Sequence, residues 1–291
     1  MTEPSLPGPL SHLLEHAMRR HGWLGRMYGA RRWLLAGSLS PACAAPVSVV
    51  AIRRHVRPES PCGLFDDLRQ DGLAFQRILV DIPQDDDMGA ARLPDGHADI
   101  HLVIADAAPW YTAFNLGALC ASAERIVFLH GAARAHPGLL AAYDEAFRTH
   151  PETLTARGVL HVPGLEDCAC QVTGSFALRE DTALWPTDLD ENMAVRAETF
   201  FALGGFDESL IGGYGALDFS IRLFGRVPEF ACQRHVPQAR IALEAPEHLG
   251  LPLEPYLMQR QRAWLQLNDS LKRYLELYGK FWLEHTKEVR P

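Results

Sequence analysis

Glycines and isolated carboxylates cluster between residues 192 and 223, and this stretch is the part of the sequence best suited to chemistry. Gly212, Gly213 and Gly215 allow the backbone to approach a bulky ligand closely or to adopt positive φ. Asp218 follows at the expected start of a helix, where the helix dipole favours a carboxylate. Asp218 is therefore a carboxylate placed at the edge of a cleft, and the alternative is that it only caps its helix.

The same stretch resembles the acceptor-side segment of family 2 glycosyltransferases of the GT-A fold. That family has N-M-x-x-[RK], G-G-F-D-E and G-x-G-x-E-D runs, which residues 192–196, 203–208 and 213–215 match. Leu217 stands where the family has Glu. The resemblance implies that Asp218 removes the proton from an acceptor hydroxyl. The residues expected to contact the acceptor are Asn192, Trp185, Gly213, Tyr214 and Gly215.

The resemblance covers roughly residues 46–235 and includes a nucleotide side. Residues 47–52 are similar to the family's first strand, V-S-V-V-I-P, and residues 113–129 to its A-x-N-x-G run. Asp81 ends the second strand, where the family's Asp contacts the nucleotide base. The resemblance implies a nucleotide-sugar partner, linked to UDP, GDP or dTDP, at the carboxyl ends of the strands. The expected nucleotide contacts are Ile52, Arg53, His55, Asp81, Asn115, His130 and Arg134.

Residues 130–132 depart from the family, because His130-Gly131-Ala132 replaces its D-x-D triplet. In such sites carboxylate oxygens and the substrate's diphosphate hold Mg²⁺ or Mn²⁺, which neutralises the leaving group. Imidazole is a poor ligand for Mg²⁺. His130 is therefore a ligand for a softer metal, a cation on the phosphate, or a satisfied histidine at a strand end. The sequence leaves a Mn or Mg cofactor open.

Three other features are candidates to replace the missing carboxylates. Residues 85–87 form an acidic run after the second strand, although such runs are usually solvated. Arg134 offers a fixed charge for phosphate. His248 loosely matches a late histidine that completes the metal or phosphate site in some family members. His130 and His248 are thus the candidate metal ligands.

Short apolar runs alternate with helical patterns from Val47 onward, as is typical of βαβ units on a mainly parallel sheet. The expected strands of this half are 47–52, 77–82, 101–105 and 125–129. The expected helices are 64–73, 115–123 and 137–149. This order indicates a Rossmann-like nucleotide-binding half. The second half is more irregular, with expected strands at 158–162, 171–178 and 240–243 and a short helix over 198–203 that Gly204-Gly205 ends.

The two ends of the chain differ from its centre. Residues 1–45 are rich in arginine and predict one or two short basic helices. This extension either contacts anionic lipid through residues 10–35, which include Trp23 and Trp33, or packs on the domain with its arginines in water. Residues 251–291 predict a long helix with an apolar seam, which packs on the domain or forms a homodimer. The catalytic domain would then span residues 46–250.

Composition limits the classes of function. The chain has 291 residues, of which 47% are hydrophobic, so it can bury the core of one large domain. The formal charge of −8 argues against a nucleic-acid binder. Six cysteines without a secretory segment indicate reduced thiols in the cytoplasm, although Cys168 and Cys170 leave a zinc site open. No apolar run approaches the ~20 residues needed to span a bilayer.

The sequence therefore predicts an α/β protein, a GT-A-like single domain with a mainly parallel nucleotide-binding half, an irregular acceptor half and added terminal helices. Two functions follow. One is transfer of a sugar from a nucleotide donor to a glycan, lipid-linked or protein acceptor, with inversion, in the cytoplasm or at the inner face of a membrane. The other is a catalytically inactive binding or scaffold protein of the same fold. An unrelated nucleotide enzyme would need a phosphate loop such as G-x-G-x-x-G after a strand, and none is present.

Overall fold

The computed structural model of the chain describes residues 8–23, 33–40, 45–54, 62–83, 98–105, 107–161, 192–208, 215–227 and 232–243. Within these ranges nine strands form one sheet: β1 (Leu34–Leu39), β2 (Val47–Arg54), β3 (Phe75–Ile82), β4 (Ile100–Ile104), β5 (Arg125–His130), β6 (Ala133–Ala135), β7 (Thr155–His161), β8 (Asn192–Arg196) and β9 (Gln233–Leu243). The helices are α1 (Gly8–Arg20), α2 (Gly63–Arg69), α3 (Trp110–Leu119), α4 (Leu139–Thr149), α5 (Ala197–Ala202) and α6 (Gly215–Arg226).

The strand order is β1-β4-β3-β2-β5-β8-β7-β9-β6. The four strands β4, β3, β2 and β5 are mutually parallel, which confirms the mainly parallel nucleotide-binding half. β8 lies antiparallel between β5 and β7, and β9 pairs parallel to β7. From β2 the chain adds β3 and then β4 on one side of β2, and it then crosses to the other side of β2 to form β5. In open α/β sheets this reversal produces a ligand-binding crevice at the carboxyl ends of the strands.

Helices cover both faces of the sheet, so its central strands are buried on both sides. Every residue of β2 except Arg54 is buried, as expected for a parallel strand rich in Val and Ile. One face packs against α2 and α4. The other packs against α1, α3, α5 and α6 around five phenylalanines that contact one another. They are Phe114, Phe128, Phe200, Phe206 and Phe219.

The N-terminal region is only partly helical. α1 buries Leu10, Leu14 and Met18, while Arg19 and Arg20 are exposed. The expectation of helices throughout residues 1–45 was wrong for Leu34–Leu39, because this apolar segment adds β1 antiparallel to the edge strand β4. Trp23 is 5% exposed. The apolar side of α1 and Trp23 therefore face the core, as in the packed alternative. In the part of the chain that the structure describes, no helix is long and apolar enough to cross a membrane.

Several element boundaries differ from those expected. α3 begins at Trp110, five residues early, because Pro109 provides a helix start, and it ends at Leu119. β9 starts at Gln233 and is longer than the expected strand at 240–243. Its first residues are polar yet buried, so they lack the apolar pattern from which a strand is predicted. Gly204 and Gly205 have φ of 82° and 69°, which confirms that they end α5. The strand expected at 171–178 and the helix expected within 251–291 lie outside the described residues.

Candidate active site

Four of the expected nucleotide-side residues, Ile52, Arg53, Asp81 and His130, meet at the carboxyl ends of adjacent parallel strands. Arg53 of β2 pairs in register with Asp81 of β3, and Ile52 pairs with His130 of β5. These strand ends border the crevice where the order of the sheet reverses. The structure thus brings Arg53, Asp81 and His130 to one edge of the sheet.

Asp81 is the centre of a buried ionic network. Arg53 donates from Nε to Oδ1 and from Nη2 to Oδ2, both at 2.7 Å, and Nε2 of His101 lies 2.7 Å from Oδ2. Burial lowers the pKa of Arg53, but the hydrogen bonds and charge of Asp81 outweigh this and raise it. The expectation that Asp81 contacts a nucleotide base does not fit, because its carboxylate is fully buried and both oxygens are occupied. Sequence reasoning missed His101, whose position on β4 gave no signal of its role.

The His130-Gly131-Ala132 turn packs tightly against the end of β2. The N–H of Gly131 donates to the carbonyl oxygen of Ile52 at 2.8 Å. A Cβ at Gly131 would lie 2.6 Å from Cγ of Arg53, so the site requires glycine there. Cys62 completes the contact, with Sγ 3.5 Å from the Gly131 carbonyl oxygen, and burial raises the pKa of this thiol to about 11. Cys62 is therefore a neutral neighbour of the turn at physiological pH.

The ring of His130 is 4% exposed, and its Nδ1 accepts a hydrogen bond from the N–H of Ala132 at 3.2 Å. In a neutral imidazole the other nitrogen then carries the proton. Nε2 of His130 is therefore a hydrogen-bond donor in this arrangement. A metal ligand would need a lone pair on that nitrogen.

The carboxylates described at this edge of the sheet are already bound by the protein itself. Both carboxylate oxygens of Asp81 already contact Arg53 or His101. Asp67 accepts from Nη2 of Arg134 at 2.7 Å and from the N–H of Ala135 at 3.1 Å. Hard divalent cations need oxygen ligands, and these carboxylates are committed elsewhere. Among the described residues no three His, Cys, Asp or Glu side chains form a group able to hold a metal. His248 and residues 85–87 lie outside them.

Arg134 lies on β6, just beyond the turn, and its side chain is 52% exposed. Its ion pair with Asp67 fixes it over the start of α2, where a Cβ at Gly63 would come within 3.0 Å of Nη1. Cys62 and Gly63 thus contact both the turn and Arg134. The guanidinium is held over the start of α2, and about half of the side chain is exposed.

Asn115 connects the nucleotide half to the G-G-F-D-E run. Its Nδ2 donates to the carbonyl oxygen of Phe206 at 3.0 Å and to Oε1 of Glu208 at 2.9 Å, and its Oδ1 accepts from the N–H of Phe206 at 3.0 Å. Thr112 donates to Oε2 of the same Glu208 at 2.9 Å. The expectation that Asn115 contacts nucleotide does not fit, because its amide is 1% exposed and fully bonded. Sequence reasoning missed the role of Glu208 as its partner.

Gly205 is enclosed by side chains from two distant parts of the chain. Its φ is +69°, and a Cβ would lie 2.5 Å from Cη2 of Trp23 and 2.6 Å from Oδ1 of Asn115. Trp23 also packs edge-on against Phe201. The N-terminal segment therefore forms one wall of this turn.

Asp218 lies in the first turn of α6, as expected, and its side chain is 12% exposed. Its Oδ2 accepts from Nε of Arg222 at 2.8 Å and lies 2.7 Å from Nη2. Arg222 also donates to the carbonyl oxygens of Leu203, at 2.7 Å, and Gly205, at 2.8 Å. One arginine thus ties Asp218 to the end of α5. The four-residue spacing of Asp218 and Arg222 was a readable signal that sequence reasoning missed.

Asp218 lies toward the same edge of the sheet as the His130 turn. Glu208 is bound to Thr112 in the first turn of α3, which follows the carboxyl end of β4. The chain has therefore reached this edge before α6 begins. After α6 it enters β9 at Gln233, which pairs with Thr155 at the opposite edge. α6 thus runs away from the carboxyl edge, with Asp218 at its near end.

The expected acceptor contacts are only partly described. Asn192 is fully buried: Oδ1 accepts from the Tyr143 hydroxyl at 2.8 Å, and Nδ2 donates to the carbonyl oxygens of Val159 and Ala239, both at 2.9 Å. Its expected contact with an acceptor therefore does not fit, because the amide is used to join β8, β7 and β9. Gly215 is the first residue of α6. The other expected acceptor contacts, Trp185, Gly213 and Tyr214, lie outside the described residues, as does His55, an expected nucleotide contact.

No model of a protein family matches this sequence, and no curated protein matches it. Solved structures do match. Mannosyl-3-phosphoglycerate synthase from Rubrobacter xylanophilus is 14% identical with a TM-score of 0.55, over 92% of this chain and 78% of that one. The chain has the GT-A fold.

Two further solved structures also match the chain. S. aureus TarS 1–349 in complex with UDP-GlcNAc is 12% identical with a TM-score of 0.50, over 81% of this chain and 73% of that one. A mycobacterial protein is 16% identical with a TM-score of 0.51, over 77% of this chain and 74% of that one. In another TarS 1–349 structure the chain spans 61% of the length. At these identities the likeness establishes the GT-A fold alone.

Proposed function

We propose that this chain is a glycosyltransferase that moves a sugar from a nucleotide donor to a hydroxyl of a glycan, lipid-linked or protein acceptor. The observation that supports the proposal is the link from Asp218 through Arg222 to the turn that Asn115 joins to the nucleotide half, in a helix that begins toward the carboxyl edge of the sheet. This edge is where open α/β sheets bind their ligands. The GT-A fold and the sequence resemblance support the same reaction class.

The chemistry follows from a carboxylate at that edge. The acceptor hydroxyl donates its proton to Asp218, and its oxygen attacks the anomeric carbon of the sugar. The bond from that carbon to the nucleoside diphosphate breaks on the opposite side, so the configuration inverts. Arg222 occupies Oδ2 of Asp218, which leaves Oδ1 as the atom to accept the proton. Holding the donor and the acceptor together supplies much of the remaining rate.

A second candidate is a binding or scaffold protein of the same fold that has lost catalysis. It is favoured by the turn at residues 130–132, which lacks carboxylates, and by the ion pair of Asp218 with Arg222, which would hold a purely structural residue equally well. The two candidates differ in turnover. A cytoplasmic location, contact with an anionic membrane surface and a homodimer stay predictions.

The test has two steps. Thermal unfolding is measured with UDP, GDP and dTDP and with the corresponding nucleosides, each with and without Mn²⁺. Stabilisation by one diphosphate and not by its nucleoside supports a donor site, because a ligand that binds only the folded state raises its stability. The matching nucleotide sugars are then offered with simple glycoside acceptors, and products are identified by mass spectrometry. No stabilisation by any diphosphate would reject the transferase, and binding without transfer to any acceptor would favour the scaffold.

A further inference from the structure

Three neighbouring parallel strands each contribute one side chain to a buried row of polar groups. Arg53 of β2, Asp81 of β3 and His101 of β4 are 3%, 0% and 1% exposed. Arg53 and Asp81 lie two residues beyond the core residues Ala51 and Leu79, and alternate residues of a strand point to the same face. The row therefore lies on the face of the sheet that packs against α2 and α4, with Asp81 in the middle.

His101 holds the carboxylate of Asp81 from the strand opposite to that of Arg53. Its Nε2 donates to Oδ2 of Asp81 at 2.7 Å, while Arg53 donates to both carboxylate oxygens. Among the described residues Nδ1 of His101 has no hydrogen-bond partner, so the polar contact of this imidazole is with Asp81. A buried carboxylate that accepts from both sides keeps one orientation, and that orientation sets its two bonds to the guanidinium. His101 therefore acts on Arg53 through Asp81.

The turn at residues 130–132 packs against the aliphatic part of Arg53. A Cβ at Gly131 would lie 2.6 Å from Cγ of Arg53 and 3.2 Å from the carbonyl carbon and oxygen of Ile52. The contacts at 3.2 Å need a shift of a few tenths of an ångström, whereas the contact with Cγ requires the Arg53 side chain to move. That movement strains the bonds between the guanidinium and Asp81, because both ends belong to one buried side chain. The turn is thus tied to the Asp81–Arg53 pair.

We infer that His101 is a positioning residue for the turn at residues 130–132 and acts on it through Asp81 and Arg53. This inference rests on the proposed function, because the turn borders the crevice where open α/β sheets bind their ligands. A turn that is held from inside the sheet meets a ligand in one conformation, which lowers the ordering cost of binding. Asp81 then serves the site as a support and not as a contact with the ligand.

A double-mutant cycle tests this connection without any ligand. Urea denaturation gives the equilibrium constant of unfolding for Gly131→Ala, His101→Leu and the double variant. We expect Gly131→Ala to raise this constant at least about fivefold more in the wild-type background than in His101→Leu, because a loosened Arg53 can move away from the new Cβ. The control is the same cycle with Gly205→Ala, whose Cβ would meet Trp23 on the other face of the sheet, and it should be additive.

Nuclear magnetic resonance gives a second measurement that needs no substitution at His101, so the test remains if His101→Leu does not fold. A buried ring N–H bonded to a carboxylate is protected from exchange and gives its own proton signal. Gly131→Ala should shift the signal of His101 Nε2, because the displaced Arg53 pulls on Asp81. Gly205→Ala should leave that signal in place.

Calorimetry then measures the affinity for whichever of UDP, GDP and dTDP stabilises the wild-type protein. His101→Leu should weaken binding by at least about threefold. His101→Gln should retain most of the affinity, because its amide keeps an N–H donor for Asp81.

An additive cycle with Gly131→Ala, an unshifted His101 signal or unchanged affinity in His101→Leu would each overturn the inference and leave the proposed function standing. If no diphosphate binds the wild-type protein, the proposed function fails. The cycle and the proton signal then decide by themselves whether His101 positions the turn.

Discussion

Arg222 contacts Asp218 one helical turn away and, with the same guanidinium, the carbonyl oxygens of Leu203 and Gly205. The proposed base and the end of α5 are thereby held by a single side chain. Carbonyl oxygens at a helix end have no partners within the helix. By donating to them, Arg222 also stabilises the C-terminal end of α5.

Arg222→Met should lower the free energy of unfolding by about 1.5–3 kcal/mol, because it removes charge-assisted hydrogen bonds and leaves Asp218 unpaired. Arg226→Met is the matched control. Arg226 is exposed and donates one hydrogen bond, to Ala202 at 2.8 Å, so its loss should cost about 0.5 kcal/mol or less. Urea denaturation measures both. Equal losses would contradict the role given to Arg222.

Gly205→Ala and Gly72→Ala separate backbone strain from lack of space. Both glycines have φ of +69°, but a Cβ at Gly72 meets nothing within 4 Å, whereas one at Gly205 meets Trp23 and Asn115. Gly72→Ala should cost about 1–2 kcal/mol, the penalty for a left-handed residue with a side chain. Gly205→Ala should cost about 1–3 kcal/mol more through overpacking. Thermal or urea unfolding of the two variants checks the difference, and similar losses would argue against a closed wall at Trp23.

The buried thiol of Cys120 should make the folded protein less stable at alkaline pH. Burial raises the pKa of this thiol from 9.0 to about 12. A raised pKa contributes stability that is fully present below pH 9 and is lost as pH rises toward 12, because the unfolded thiol ionises first. Between pH 8 and pH 10.5 this thiol should account for a loss of about 2 kcal/mol.

Cys120→Ala removes that titrating group. The variant should start less stable at pH 8, because it leaves a small cavity, but should lose about 2 kcal/mol less than the wild-type protein by pH 10.5. Urea denaturation at the two pH values gives both numbers. Parallel losses in the two proteins would mean that Cys120 does not titrate as its burial requires.

Asp218→Asn should reduce sugar transfer by at least about a hundredfold, the usual contribution of a general base. Nucleotide affinity should not change, because the residues expected to contact the nucleotide lie on other elements. Glu198→Gln is the control, since Glu198 is an exposed carboxylate in the first turn of α5. Initial rates and calorimetry separate the two effects. Full turnover in Asp218→Asn would remove Asp218 as the base.

The central strands could be predicted from the sequence because burial on both faces requires continuous Val, Ile and Leu runs. β1 and β9 could not. β1 is an edge strand with one end buried, and β9 begins with Gln233 and Arg234, whose burial depends on hydrogen bonds to Ser220, Thr153 and Glu152. Such pairings join distant residues and leave no periodic pattern.

The candidate site shows the same division. Asp218 at a helix start and the glycines after α5 are local features that a sequence displays. The amides of Asn115 and Asn192 match family positions, but a sequence does not distinguish an amide that binds a ligand from one that is buried and fully bonded. That distinction depended on Glu208, 93 residues from Asn115, and on Tyr143 for Asn192.

The position of Trp23 against Gly205 has a consequence for synthesis in the cell. The indole leaves the ribosome roughly 180 residues before the turn that covers it, which corresponds to about 10–40 s at usual elongation rates. Through that interval the indole lacks the contacts that Phe200, Phe201 and Gly205 later provide. Trp23 is thus made long before the turn against which it docks, and its apolar surface stays open to intermolecular contact until residue 205 has been synthesised.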